Sequence, residues 1–171
     1  MPFICYGVAT TLADNSTSSQ VMDCSHCGFK MKKHEMRQHM AYHILKHFGI
    51  KNYQCGFCGS ADSAQCVPTI VKGSRGGKAA AELVKSSCKA WFNFYIGAAK
   101  SNYCTNYPMK CTACSNLDGA TPTYLWKYSM EKHYEAIHPD VPCPRDSTVS
   151  EEEKNSVLSK WRLRMATLMN K

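Results

Sequence analysis

Three Cys-x2-Cys pairs, two of them followed by spaced histidine pairs, and one amphipathic C-terminal segment predict a small α+β fold held together by metal. In that fold two ββα-like fingers flank a Cys-only hairpin unit, each of the three units binds a zinc ion, and a C-terminal helix follows. Eleven cysteines and seven histidines stand among 171 residues. An odd cysteine count leaves one thiol over in a disulfide-bonded monomer, and a disulfide framework has no reason to place histidine pairs behind the knuckles. Met1–Ala13 carries no Lys or Arg, and Gly7 and Thr10 break its apolar stretch, so it does not read as a secretory signal despite the sequon Asn15-Ser16-Thr17. The expected setting is the reducing interior of a cell. No apolar run is long enough to span a membrane.

The elements follow in chain order. Residues 1–23 read as a flexible leader, because Asp14–Gln20 is polar and has no periodic apolar face. Residues 24–47 form the first unit: Cys24-Ser25-His26-Cys27, an 11-residue span, then His39 and His43. That matches the Cys2His2 finger pattern but is one residue short in the middle. Lys32–Phe48 lacks Gly and Pro and is expected to be helical, which puts His39, His43 and His47 on one face. Only two can close the tetrahedron. His39/His43 fits the loop length, with His43/His47 as the alternative. His34-Glu35 lacks the histidine spacing of a zincin protease.

Residues 55–104 hold a unit that binds its zinc through four cysteines. Cys55-Gly56-Phe57-Cys58-Gly59 is its knuckle. Ala64–Lys72 and Ala81–Ser87 flank Gly73-Ser74-Arg75-Gly76-Gly77 and predict a β-hairpin with a basic turn. The turn does not have the arrangement of a phosphate loop. Cys66, Cys88 and Cys104 compete for two ligand positions; Cys88 and Cys104 are the expected pair, leaving Cys66 a buried thiol. Cys5 and Cys143 lack partner knuckles and are expected to be free.

Residues 111–138 form a second Cys2His2-like finger, from Cys111, Cys114, His133 and His138, with a long turn-rich loop over Asn116–Pro122. Met130 stands three residues before His133, as Met36 stands before His39. Pro139, Pro142 and Pro144 then stop the helix. Ser150 with Glu153 is a capping-box signature opening an amphipathic helix over 148–170, with Val157, Trp161, Met165 and Leu168 on one face.

The motif order Cys-Gly-Phe-Cys-Gly (55–59), Cys-Thr-Asn-Tyr-Pro-x2-Cys-x2-Cys (104–114) and Leu-Trp-Lys-Tyr-Ser-Met-x2-His-x4-His-Pro (125–139) resembles the Cys/His-rich zinc-finger proteins of mushroom-forming fungi. The third unit is also similar to BED-type fingers, in which aromatic residues precede the histidine pair. The resemblance covers residues 24–145; it implies zinc, DNA and a nuclear location, and names no target.

The chain carries 21 Lys/Arg against 13 Asp/Glu, a net charge of +8. The excess lies before residue 111; residues 111–171 are neutral. Such a balance favours a polyanionic partner. Four-ligand zinc is structural, which predicts a binding module and not an enzyme. Sequence-selective binding of double-stranded DNA is the leading expectation. Counting from His39 as the seventh helix position puts Lys32, Glu35 and Gln38 at the base-reading positions, with Lys30, Lys33 and Arg37 toward phosphates. The same count in the last finger gives Trp126, Ser129 and Lys132, and a tryptophan there reads bases poorly. Two other roles compete. One is a protein-interaction or oligomerisation module using Trp126 and the C-terminal helix. The other is RNA or single-strand binding, with Tyr53, Phe57, Tyr103 and Tyr107 as stacking candidates.

Overall fold

A computed structural model of the chain describes residues 20–61, 64–75, 78–115 and 124–169. It is a small mixed α+β protein, with three short sheets among the described residues. In the first unit β1 (Val21–Asp23) pairs antiparallel with β2 (Lys30–Lys32). Met22 and Met31 face each other on the inner side, while Val21, Asp23, Lys30 and Lys32 alternate outward. Residues 21–23 therefore belong to the first finger and not to the expected leader over 1–23; residues 1–19 lie outside the described residues. The helical run begins with a 3-10 turn (Lys33–Glu35), continues as α1 (Met36–His43) and widens into a π-helical turn over Ile44–Phe48. Gly49, at φ 66°, ends it in a conformation that costs glycine little.

The middle unit is a three-stranded sheet, ordered β3 (Thr69–Arg75), β4 (Lys78–Lys85), β5 (Phe94–Tyr95), all antiparallel. The hairpin is the one expected, but its first strand starts later. Ala64–Cys66 is a 3-10 turn, and pairing begins at Thr69, after Pro68, which has no N–H to give a ladder. The helix α2 (Ile96–Lys100) packs back on β4.

In the last unit β6 (Pro108–Lys110) pairs with β7 (Tyr124–Trp126). The short α3 (Thr112–Ser115) carries the knuckle between them, and α4 (Lys127–Ile137) follows. The loop expected over Asn116–Pro122 lies outside the described residues. The C-terminal α5 (Glu151–Met169) is capped by Ser150, whose Oγ accepts the Glu153 N–H at 3.1 Å. The capping box is only half formed, because the Glu153 carboxylate turns inward. It accepts from the Thr105 N–H at 2.6 Å, the Thr105 hydroxyl at 2.7 Å and the Tyr128 hydroxyl at 2.9 Å. Lys127 lies 3.5 Å away.

One main core runs through all of this. Met36, Met40 and Tyr42 of α1, Phe57 of the middle knuckle, Val84 of β4, Trp126 and Tyr128 around the start of α4, and Val157 and Trp161 of α5 belong to a single buried cluster. Cys111, Leu125, Met130 and Tyr134 form a separate, smaller one. Gly56 lets the main core close here, since a Cβ at this position would clash with the Trp126 ring. No helix among the described residues is long and apolar enough to cross a membrane.

Candidate metal centres

The first knuckle is shaped by backbone hydrogen bonds. Gly28 N–H donates to Cys24 O at 2.8 Å, Cys24 N–H to Phe29 O at 2.9 Å, and the His26 N–H points at Cys24 Sγ, 3.5 Å away. Gly28 needs its positive φ of 70° for this turn. The middle knuckle repeats the pattern with Gly59 N–H to Cys55 O at 2.8 Å and Phe57 N–H to Cys55 Sγ at 3.4 Å. Each turn aims two sulfurs at one point.

Three groups of four ligand atoms result, each with all atoms within 4.8 Å of one another. The first is Cys24, Cys27, His39 and His43. His43 Nε2 is 3.5 Å from Cys24 Sγ, His39 Nε2 is 3.3 Å from Cys27 Sγ, and the two Nε2 atoms are 3.0 Å apart. Zinc–sulfur and zinc–nitrogen bond lengths put the edges of a tetrahedral site at about 3.3–3.8 Å, so the donors already stand close to their places around an ion. The alternative pair His43/His47 is not formed. The helix widens after His43, and His47 is left exposed beside the rings of Tyr42 and His43.

The last group is Cys111, Cys114, His133 and His138. Cys114 Sγ lies 3.3 Å from His133 Nε2 and 3.0 Å from His138 Nε2. The five-residue step between these histidines works because α4 ends at Ile137, and His138 leaves helical geometry at φ −130°, ψ 55°.

The middle group corrects the sequence-based ligand set. It contains Cys55, Cys58, Cys66 and Cys88, with Cys58 and Cys66 sulfurs 3.6 Å apart; Cys104 is not among them. The hairpin register explains why. Thr69 pairs with Lys85, so Cys66, three residues before, and Cys88, three residues after, flank the base of the same hairpin. Cys104 packs elsewhere in the core. There its buried sulfur meets Arg37 Nη1 at 3.8 Å and the Tyr128 hydroxyl at 3.7 Å. Cys143 belongs to none of the three groups, and burial pushes its thiol up to about 11.

The electrostatics suit a cation. Burial, then the neighbouring His43, lowers His39 to about 3; burial, then His47, lowers His43 to about 4. Both imidazoles are therefore neutral, the form that donates a lone pair to metal. In the middle group the thiols share protons: Cys55 is pushed up by its contacts with Cys58 and Cys88 and by burial, while contacts with Cys55 and Cys88 push Cys58 down. A cation at the centre would relieve that crowding by replacing the protons. The geometry, the neutral histidines and the all-Cys/His donor sets, four donors to each group, fit zinc at each of the three places.

Packing, rather than a carboxylate, holds the histidine rings. Nδ1 of His39, His43 and His133 is buried without a hydrogen-bond partner. Instead the Trp161 ring of α5 meets His39 edge-on at 4.7 Å, Phe48 stacks on His43 at 5.6 Å, and Tyr53 meets His133 at 5.6 Å. Trp161 is the supporting residue that sequence reasoning saw only as part of an apolar face.

The positions assigned to base and phosphate contacts are mostly engaged inside the protein. Arg37 is 5% exposed; its Nη1 donates to Asn106 O at 2.7 Å and Cys104 O at 3.0 Å, and its guanidinium lies over Phe94. Lys33 is also buried. Glu35 pairs with Arg164 of α5 at 2.7 Å, and Gln38 Oε1 accepts from the Tyr103 hydroxyl at 2.8 Å. Lys30 and Lys32 are exposed, and Lys30 pairs with Asp23 at 2.9 Å. Arg37 and Lys33 are thus not phosphate contacts in this fold. The last finger's helix start is likewise interior: Trp126 is 3% exposed, and Ser129 Oγ accepts from the Gln54 N–H at 3.1 Å.

No known family model, curated protein or solved structure matches this chain.

Proposed function

We propose that the protein is a zinc-stabilised nucleic-acid-binding module of the cell nucleus, and that its zinc ions do structural rather than catalytic work. One observation carries the reading. Lys46, Lys51, Lys72, Lys89, Lys100 and Lys110 are all exposed, while Glu82 is the one exposed carboxylate between residues 46 and 110 among the described residues. A surface so unbalanced attracts a polyanion, and releasing the counterions of a phosphate backbone favours binding. The closed four-donor clusters support a binding role over a catalytic one.

Duplex reading by α1 would require α5 and the segment around Tyr103 to give way, since Glu35 and Gln38 are held by them. The basic surface of the middle unit, with Lys110 beside it, is the better face. The test is binding of zinc-loaded protein to labelled nucleic acid at two salt concentrations. Affinity that falls steeply with salt is expected; no binding at low salt would refute the reading.

A protein-interaction role has one specific support, an apolar cleft of about 300 Å³ lined by Tyr53, Val67, Pro68, Leu125 and Trp126. Val157 and Trp161 of α5, by contrast, pack in the main core.

A further inference from the structure

A second groove, of about 420 Å³, lies where the β3–β4 hairpin, α2 and the β6–β7 ribbon meet. Lys72, Lys100 and Lys110 line it together with Tyr107 and Tyr124, and Glu82 and Asp146 stand on its walls. Each tyrosine has a lysine over its face: Lys100 Nζ is 5.4 Å from the Tyr107 ring centre and Lys110 Nζ is 5.5 Å from that of Tyr124. Both rings are half-buried and all three lysines are exposed, so the ammonium groups can swing outward while the rings stay.

The charges are not all free. Lys72 faces Glu82 across the β3–β4 register, which leaves Lys100 and Lys110 as the cations open to a ligand. A plain phosphate site would not include two carboxylates. A nucleotide has use for all three kinds of group. Its phosphate takes an ammonium, its base lies on an aromatic face, and an exocyclic amino group donates to a carboxylate.

We infer that this groove holds a single-stranded nucleic acid, with bases stacked on Tyr107 and Tyr124 and flanking phosphates on Lys100 and Lys110. The inference rests on the nucleic-acid-binding reading above and names the strand and the face. A duplex offers phosphates but keeps its base faces stacked within itself, and its cross-section does not enter a groove of this size. An unpaired base does.

The probes are a labelled single-stranded oligodeoxycytidine and a duplex of the same length, titrated by fluorescence anisotropy against zinc-loaded full-length protein. The single strand should bind tighter than the duplex. Lys110→Ala should reduce the log–log salt slope by about 0.7, the share of one phosphate contact on a single strand. Tyr107→Leu should weaken binding about fivefold or more by removing a stacking face, and Tyr107→Phe should restore it. Zinc content equal to that of the wild type shows that each variant is folded, and Lys110, being exposed, tests the groove even if Tyr107→Leu does not fold. If duplex binds tighter, or if folded Lys110→Ala and Tyr107→Leu bind like the wild type, the groove assignment is overturned while the nucleic-acid reading stands. If the wild type binds neither probe at low salt, both fall.

Discussion

The first and last Cys2His2 units obey one grammar and end in different surroundings. Both have the knuckle, a methionine three residues before the first histidine, and a histidine pair on or just past one helix. Yet in α1 all residues but Gln38 are buried, whereas α4 keeps Glu131, Lys132, Glu135, Ala136 and Ile137 exposed. The difference is α5. It lays Val157 and Trp161 on the first unit and pairs Arg164 with Glu35, so the helix of that unit becomes the centre of the protein. The last unit keeps its own small core, joined to the rest chiefly through Trp126 and Tyr128. A finger motif thus specifies a metal site, while the use of its helix depends on what packs against it.

Metal removal gives the largest effect on this comparison. Three zinc ions per chain are expected, and chelation should abolish cooperative unfolding, because structural zinc in such units contributes on the order of 10 kcal/mol each. His39→Ala should then disturb α5 as well as its own site, and His133→Ala should leave α5 docked. Equal damage from the two, read by hydrogen exchange in α5, would erase the distinction. In the unit between them, Cys66→Ser should lower the zinc count from three to two, and Cys104→Ser should keep three. Metal analysis of the two variants decides it.

Trp161→Ala should cost about 3–5 kcal/mol in denaturant unfolding, as for a fully buried aromatic, and should make the first site the easiest to strip with a chelator. Leu125→Ala, in the smaller core, should cost about 2–5 kcal/mol and leave the first site's zinc retention unchanged. The smallest effect belongs to the open back of α4. Lys132 and Glu135 form an exposed pair at 2.6 Å, and Lys132→Ala should change stability by no more than about 0.5 kcal/mol. A larger loss would mean that α4 is as enclosed as α1.

The metal donors were legible to different degrees, and the reason is local geometry. Cys24/Cys27 and Cys111/Cys114 sit in turns of four residues, and His39/His43 on one helical face, so spacing alone places them. Cys66 and Cys88 are brought together by a hairpin register that the sequence does not state. Reading the hairpin as starting at Ala64 hid the symmetry about Thr69 and Lys85 that selects Cys66 over Cys104. Arg37 is a sharper failure. Its carbonyl partners, on Cys104 and Asn106, are 67 and 69 residues away in the chain, so nothing near it in sequence distinguishes a buried clamp from a phosphate contact. The C-terminal helix was legible as amphipathic through Val157, Trp161 and Met165, although Leu168, placed on the same face, is 46% exposed.

The sequence by itself determined the three-unit layout, the knuckles, both histidine pairs, the hairpin and the terminal helix, because each is written in contacts between residues close along the chain. Only the tertiary structure decided that the units share one core, that Cys66 closes the middle cluster, and that α5 covers α1. Those outcomes depend on burying apolar surface between distant segments, as when Gly56 admits the Trp126 ring and Trp161 seals His39. Apolar burial is non-directional and leaves no spacing rule behind. The same burial enclosed Lys33 and Arg37 of the first finger and left Lys72, Lys89, Lys100 and Lys110 in solvent.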